Sequence, residues 1–176
     1  MPSEFSYVVW GAKTPITTNK LFQMSENDQY AYELATSASQ GIIGWRESTA
    51  DHNVTASYTT INGFTLTKTI PSDRLLKVHF HCSTLQGSTT GNCRIQVRIT
   101  VDGTMFASRE ADVEKNYKRS LDDVEAIIGV AGGSHTFVAE TRYQVGGVGT
   151  PSVRADANQP MQFWIEDVGA FVSKDT

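Results

Sequence analysis

The chain has 176 residues, 39% of them hydrophobic and 19% charged, with a formal net charge of −4 and a pI near 5.5. That apolar content supplies one real core, and an acidic balance argues against a nucleic-acid surface, which needs a clustered cationic footprint. No apolar run approaches the ~18 residues that span a bilayer. Met1-Pro2-Ser3-Glu4 opens no basic or apolar leader, so the expectation is a soluble protein made in a cytosol.

Residues 1–44 differ in kind from the rest, and the expected division is an N-terminal anchoring arm over 1–44 and a head over 45–176. Phe5 to Trp10 (FSYVVW) is a short strand-like run ended by Gly11. Ser25-Glu26-Asn27-Asp28 has the S-x-x-D spacing of a capping box and predicts a short helix over Glu26 to Ser37. Its apolar positions, Tyr30, Ala31, Leu34 and Ala35, make a stripe too narrow to bury by itself. The small residues from Ser37 to Gly44 then release the chain into the next unit. An arm with this many uncovered apolar groups suits an interaction surface.

From Trp45 onward the pattern is strands and turns. Val54 to Thr60 and Phe64 to Ile70 flank Asn62-Gly63, a strong turn signal. Leu76, Val78, Phe80 and Cys82 alternate with Lys77, His79 and His81. Cys93, Ile95, Val97, Ile99 and Val101 alternate with Arg94, Gln96, Arg98 and Thr100. Period-two alternation predicts two strands, each with one buried and one wet face. A hairpin between them would need a loop, Ser83 to Asn92, about twice the usual two to five residues. It would also set Lys77 opposite Arg98, a like-charge pair. The expected connection therefore crosses from one sheet to the other, as in Greek keys and jelly rolls.

Asp102-Gly103 predicts a type I′ turn leading into a return strand, Met105 to Ser108. Glu110 to Asp123 is charged in both signs and resists assignment. Leu121 to Val130, His135 to Tyr143 and Met161 to Val168 complete the strands, with Gly132-Gly133 as a turn and Val145 to Pro151 as a Gly-rich loop. In the last strand, Phe163 and Ile165 are expected inside rather than Trp164 and Glu166. The fold class is mainly β: an antiparallel jelly-roll sandwich behind an extended arm containing one short helix.

Cys82 and Cys93 close one loop and are read as small buried hydrophobes kept reduced, with a disulfide as the alternative. His79 and His81 share one strand face, a legitimate metal pair, and His135 could be mistaken for a third ligand. The positions after His81 bring no carboxylate, so the imidazoles are read as solvated or packed at a subunit contact. Gly129 to Gly133 and Gly146 to Gly149 match no phosphate-binding pattern, and no nucleophile elbow is present. The charged stretch with Asp112, Glu114, Asp122 and Asp123 interleaves Lys115, Lys118 and Arg119, which reads as a salt-bridged surface. Asn53-Val54-Thr55 is a formal glycosylation sequon, meaningless without secretion. The expectation is no catalytic residue, no metal ligand and no cofactor.

The segment WGAKTPITTNKLFQMSENDQYAYELA resembles the docking segment of short bacteriophage head-fibre and minor tail proteins. GWREST, DGTMFA and the closing FWIEDVGA resemble the jelly-roll domain that those virion surface proteins carry at their C-terminal end. That domain is similar in turn to the trimeric tumour-necrosis-factor and complement-type globular heads. The resemblance implies a non-enzymatic virion protein assembled in the host cytoplasm. It would be displayed as a homotrimeric knob on capsid or tail and anchored to other virion proteins by its arm, with no nucleic acid or membrane among its partners. The alternatives are a receptor- or glycan-binding tail-fibre tip and, third, a cupin-like metalloenzyme using His79, His81 and His135.

Overall fold

The structure is a computed structural model that describes residues 41–146 and 149–170, and the expected arm up to residue 40, with its helix, falls outside that range. The described chain is β throughout, in antiparallel sheets. Twelve strands follow in order: β1 (Gly41–Ser48), β2 (His52–Asn53), β3 (Thr59–Ile70), β4 (Arg74–His81), β5 (Thr84–Gln86) and β6 (Cys93–Val101) come first. Then come β7 (Thr104–Val113), β8 (Lys118–Arg119), β9 (Val124–Val130), β10 (Gly133–Gly146), β11 (Ser152–Arg154) and β12 (Met161–Ala170). The first sheet has the order β1-β12-β4-β9 and the second β3-β10-β6-β7. Their inner faces share one core.

Alternation decides which side chains enter that core. Leu76, Val78 and Phe80 of β4 face Ile95, Val97 and Ile99 of β6, all fully buried. Phe163 and Ile165 of β12 and Phe137 and Ala139 of β10 join them, so Trp164 points outward. β4 and β6 lie in different sheets, and the connection between them crosses the core, as repulsion between Lys77 and Arg98 required. Lys77 then meets Glu125 at 3.0 Å on one outer face, and Arg98 meets Glu140 at 2.9 Å on the other. Cys82 and Cys93 are both buried free thiols.

Asp102 and Gly103 take φ of 50° and 80° and form a two-residue turn in which Val101 pairs with Thr104. Asn62-Gly63 has the same left-handed geometry, 41° and 71°, but a different role. It is not a hairpin turn: the residues on both sides of it belong to one continuous strand, β3, and the pair forms a bulge. On β10, Val138 pairs with Thr65 and Glu140 with Thr60, so β3 accommodates three extra residues there. The extruded Asn62 amide donates to Ser48 Oγ (3.0 Å) and Ala50 O (2.5 Å) and approaches His52 Nδ1 (3.2 Å). Turn chemistry was present, but long-range pairing decided what it turned.

Two boundaries also shift. β1 begins at Gly41, so residues 41–44, expected in the arm, pair with β12 through Asp167, Glu166 and Ile165. Of the expected strand Val54 to Thr60, only Thr59 and Thr60 are in β3, with β2 preceding Val54. The unreadable stretch 110–123 splits into the end of β7, a turn with Asn116 at φ 63°, the short β8 and a lead into β9.

A third sheet, β2-β11-β5-β8, has strands of only two or three residues. Each belongs to a different connection between longer strands: β2 follows β1, β5 follows β4, β8 follows β7 and β11 follows β10. Four crossing loops are thereby hydrogen-bonded to one another.

Candidate functional site

The described side chains with the densest chemistry lie on the outer face of the first sheet. Phe80 must face the core, so its neighbours His79 and His81 face outward together. β9 pairs with β4 so that Glu125 stands opposite His79. Asp123, one residue before β9, reaches both imidazoles. His79 Nε2 lies 2.9 Å from Asp123 Oδ2, and His81 Nδ1 lies 2.5 Å from Asp123 Oδ1. On the other side β12 sets Trp164 beside His79, with the rings stacked 3.9 Å apart at 14°.

Such a carboxylate serves as a shared acceptor, to which each ring donates an N–H. Burial pushes the Asp123 carboxyl up, but the hydrogen bond from His81 and the charges of both imidazoles outweigh it and hold it below the usual carboxylate range. Glu125 is also held low, first by its hydrogen bond from Lys77. Cys82, next to this cluster in sequence, is no nucleophile at neutral pH. Burial, with the Asp123 charge adding to it, pushes its thiol up to about 12.

The sequence reading of His79 as solvated or at a subunit contact needs correction: its own chain covers it, to 7% exposure, through Trp164 and Asp123. The carboxylate sought just after His81 comes instead from Asp123, the residue ahead of β9 and 42 positions later. Its signal was Asp122-Asp123 immediately ahead of an alternating run, hidden because the whole stretch read as salt-bridged surface. Among the described residues, no group of three or more His, Cys, Asp or Glu side chains is arranged to hold a metal ion.

His135 does not join this site. It stands near the start of β10 in the second sheet, with Nδ1 2.7 Å from Asp102 Oδ2 and Nε2 2.9 Å from Ala131 O. Both ring nitrogens face acceptors, so the ring satisfies both only as imidazolium. The Asp102 hydrogen bond, with help from the Ala131 carbonyl, raises the His135 pKa above 6.5, and Asp102 is lowered in turn, first by the Thr136 N–H and then by His135. A raised imidazole stabilises the fold fully below about pH 6.5, its unfolded value, and loses that contribution as pH rises through the folded value. The lowered carboxyl contributes above its unfolded value and is lost as pH falls through the folded one. His135→Gln is therefore expected to lower the melting temperature more at about pH 5.5 than at about pH 8.5. An equal loss at both pH values would show that the tie is not ionic.

A second polar cluster occupies the outer face of the other sheet. Tyr58 lies under two guanidinium groups, with Arg98 Cζ 3.4 Å and Arg142 Cζ 4.4 Å from its ring centre. Its hydroxyl bonds to Gln96 Oε1, which also accepts from Arg142 Nε and Gln144 Nε2 at 3.0 Å each. This network pins the segment ahead of β3 onto the sheet.

No protein-family model matches the sequence, and no curated protein matches it. Among solved structures, dimeric latent PorU from Porphyromonas gingivalis aligns at 10% identity over 75% of this chain and 14% of that one, with a TM-score of 0.38. A cycloisomaltooligosaccharide glucanotransferase from Paenibacillus sp. aligns at 13% identity over 77% and 19%, with a TM-score of 0.28. The T13 particle of infectious bursal disease virus aligns at 9% identity over 77% of this chain and 36% of that chain, with a TM-score of 0.35. The chain spans well under half the length of each of these.

Proposed function

We propose that the chain is a non-enzymatic structural protein of a bacteriophage virion. Its head is a jelly roll displayed as a homotrimeric knob on the capsid or tail, held by the N-terminal arm. The observation that carries this reading is the wiring of the eight long strands. Taken in chain order, the first, eighth, third and sixth make one sheet, and the second, seventh, fourth and fifth make the other. That order supports the jelly-roll reading, a fold that protects its sheet edges and suits a displayed head. At the flanks β1 lies beside β3 and β7 beside β9. The non-enzymatic part is supported by burial of the Cys82 thiol, which pushes it up to about 12.

The test is native mass of the full chain, alone and on particles. A mass about three times 19.3 kDa is expected in solution. A monomer removes the trimer, and absence from purified particles removes the virion assignment. Truncation separates arm from head. Deleting residues 1–40 leaves β1 whole and is expected to give a folded, still trimeric head that no longer joins particles. Deleting 1–48 removes β1, bares the edge of β12 and is expected to lower the melting temperature sharply.

A second reading, a glycan- or receptor-binding tip, draws on Trp45, which is 53% exposed on β1. Glycan-array binding by the full chain that disappears with Trp45→Ala would favour it.

A further inference from the structure

We propose that the outer face of the first sheet is a docking surface for a protein segment that carries Lys or Arg beside apolar side chains. Strand register builds this face. Trp45, Trp164, His79 and Glu125 form one row across β1, β12, β4 and β9, and Ile42, Glu166, Lys77 and Ile127 form the next. Ile42, Trp45 and Ile127 are 63%, 53% and 62% exposed. Large apolar groups held out in adjoining rows of one face mark a contact surface rather than scattered exposure.

Charge selects the partner. Glu47, Glu125 and Glu166 stand on or beside this face, against Lys77 as the lysine within its rows, while Asp123 is taken up by His79 and His81. Lys77 is already engaged by Glu125 at 3.0 Å. Glu47 accepts from the neutral amide of Gln162, with Nε2 at 3.2 Å, a bond that does not neutralise its charge. The surplus is negative between apolar groups at the two edges of the sheet, Ile42 and Trp45 on β1 and Ile127 on β9, which is the complement of a cationic amphipathic segment laid across the strands. Arg or Lys stems would cover Ile42 and Ile127, and a guanidinium would lie over Trp45. A second copy presenting the same face would bring like charges together. A sugar fits less well: the Trp164 ring turns one face to His79, and two isoleucines offer no π-face to stack on.

The probe is a random library of 12-residue peptides, selected on the full chain and counter-selected on its Trp45→Ser/Glu47→Lys/Glu166→Lys variant. The expected pool is rich in Lys or Arg beside aliphatic or aromatic residues. A selected peptide should bind the variant at least tenfold more weakly and weaken further as salt rises. Glu47→Lys alone, at an exposed edge position, should reduce its affinity severalfold without changing the melting temperature. A pool with no basic enrichment, or equal affinity for parent and variants, overturns the proposal. Glycan binding that depends on Trp45, with no peptide selected, overturns it too and reassigns the face to a sugar. None of these outcomes bears on the native mass, so the trimer stands or falls separately.

Discussion

Arg74→Ala is expected to cost about 3–5 kcal/mol of stability, because it strands a carboxylate inside the protein. Arg74 and Asp167 are 1% and 2% exposed, at one end of the core between β4 and β12. Arg74 Nε lies 3.0 Å from both carboxylate oxygens, and Nη2 lies 2.8 Å from Oδ1, which also accepts the Gly169 N–H at 2.9 Å. A planar guanidinium meets a planar carboxylate here with little freedom left. The double variant Arg74→Met/Asp167→Leu should recover much of the loss, since removing both charges together leaves neither of them unpaired, though the Gly169 N–H loses its acceptor. Urea unfolding of the two variants measures the difference. If the double variant is no better than the single, the pair is not the source of the cost.

Phe80→Ala is the other large effect, again about 3–5 kcal/mol, through a cavity that the closed core cannot refill. Phe80 is fully buried and meets Phe64 of the opposite sheet edge-on, with centroids 5.9 Å apart. Phe64 also stacks on Phe163 at 6.2 Å, and Phe163 is the register partner of Phe80 on β12. Three aromatic rings thus join both sheets at one point. Phe80→Leu keeps most of the volume and should cost far less. A melting temperature unmoved by Phe80→Ala would contradict the placement of that ring.

These two residues were unequally legible beforehand. Phe80 follows from alternation alone, because a one-residue slip would bury Lys77 and expose a phenylalanine. Arg74 does not, because a charge at the start of an apolar run reads as its polar edge until its partner, 93 positions away, is known. The same limit hid Asp123 from His79 and His81. Local pattern also misassigned Asn62-Gly63, whose conformation was right and whose context was not. The β2, β5, β8 and β11 strands were beyond reach, since two or three residues carry no period. The crossing between β4 and β6 was recoverable because repulsion between Lys77 and Arg98 excluded the simpler wiring. Each charge has since found a carboxylate of its own.

The small third sheet has a mechanical meaning. Two stacked sheets held only by apolar contact resist separation but yield readily to sliding, since side chains slip past one another without breaking directional bonds. Here the connections after β1, β4, β7 and β10 are laced across one another by hydrogen-bonded strand pairing, with Ser152 opposite Asn53 and Gln86, and Leu85 opposite Val153 and Arg119. Lateral displacement of one layer over the other must tear that lacing at several places at once. A load applied along the strands would therefore meet a stiff, brittle end here. At the other end no such sheet is present among the described residues, and the Asp102-Gly103 and Ala131-Gly132 connections are joined instead through one side chain, His135, between Asp102 and the Ala131 carbonyl.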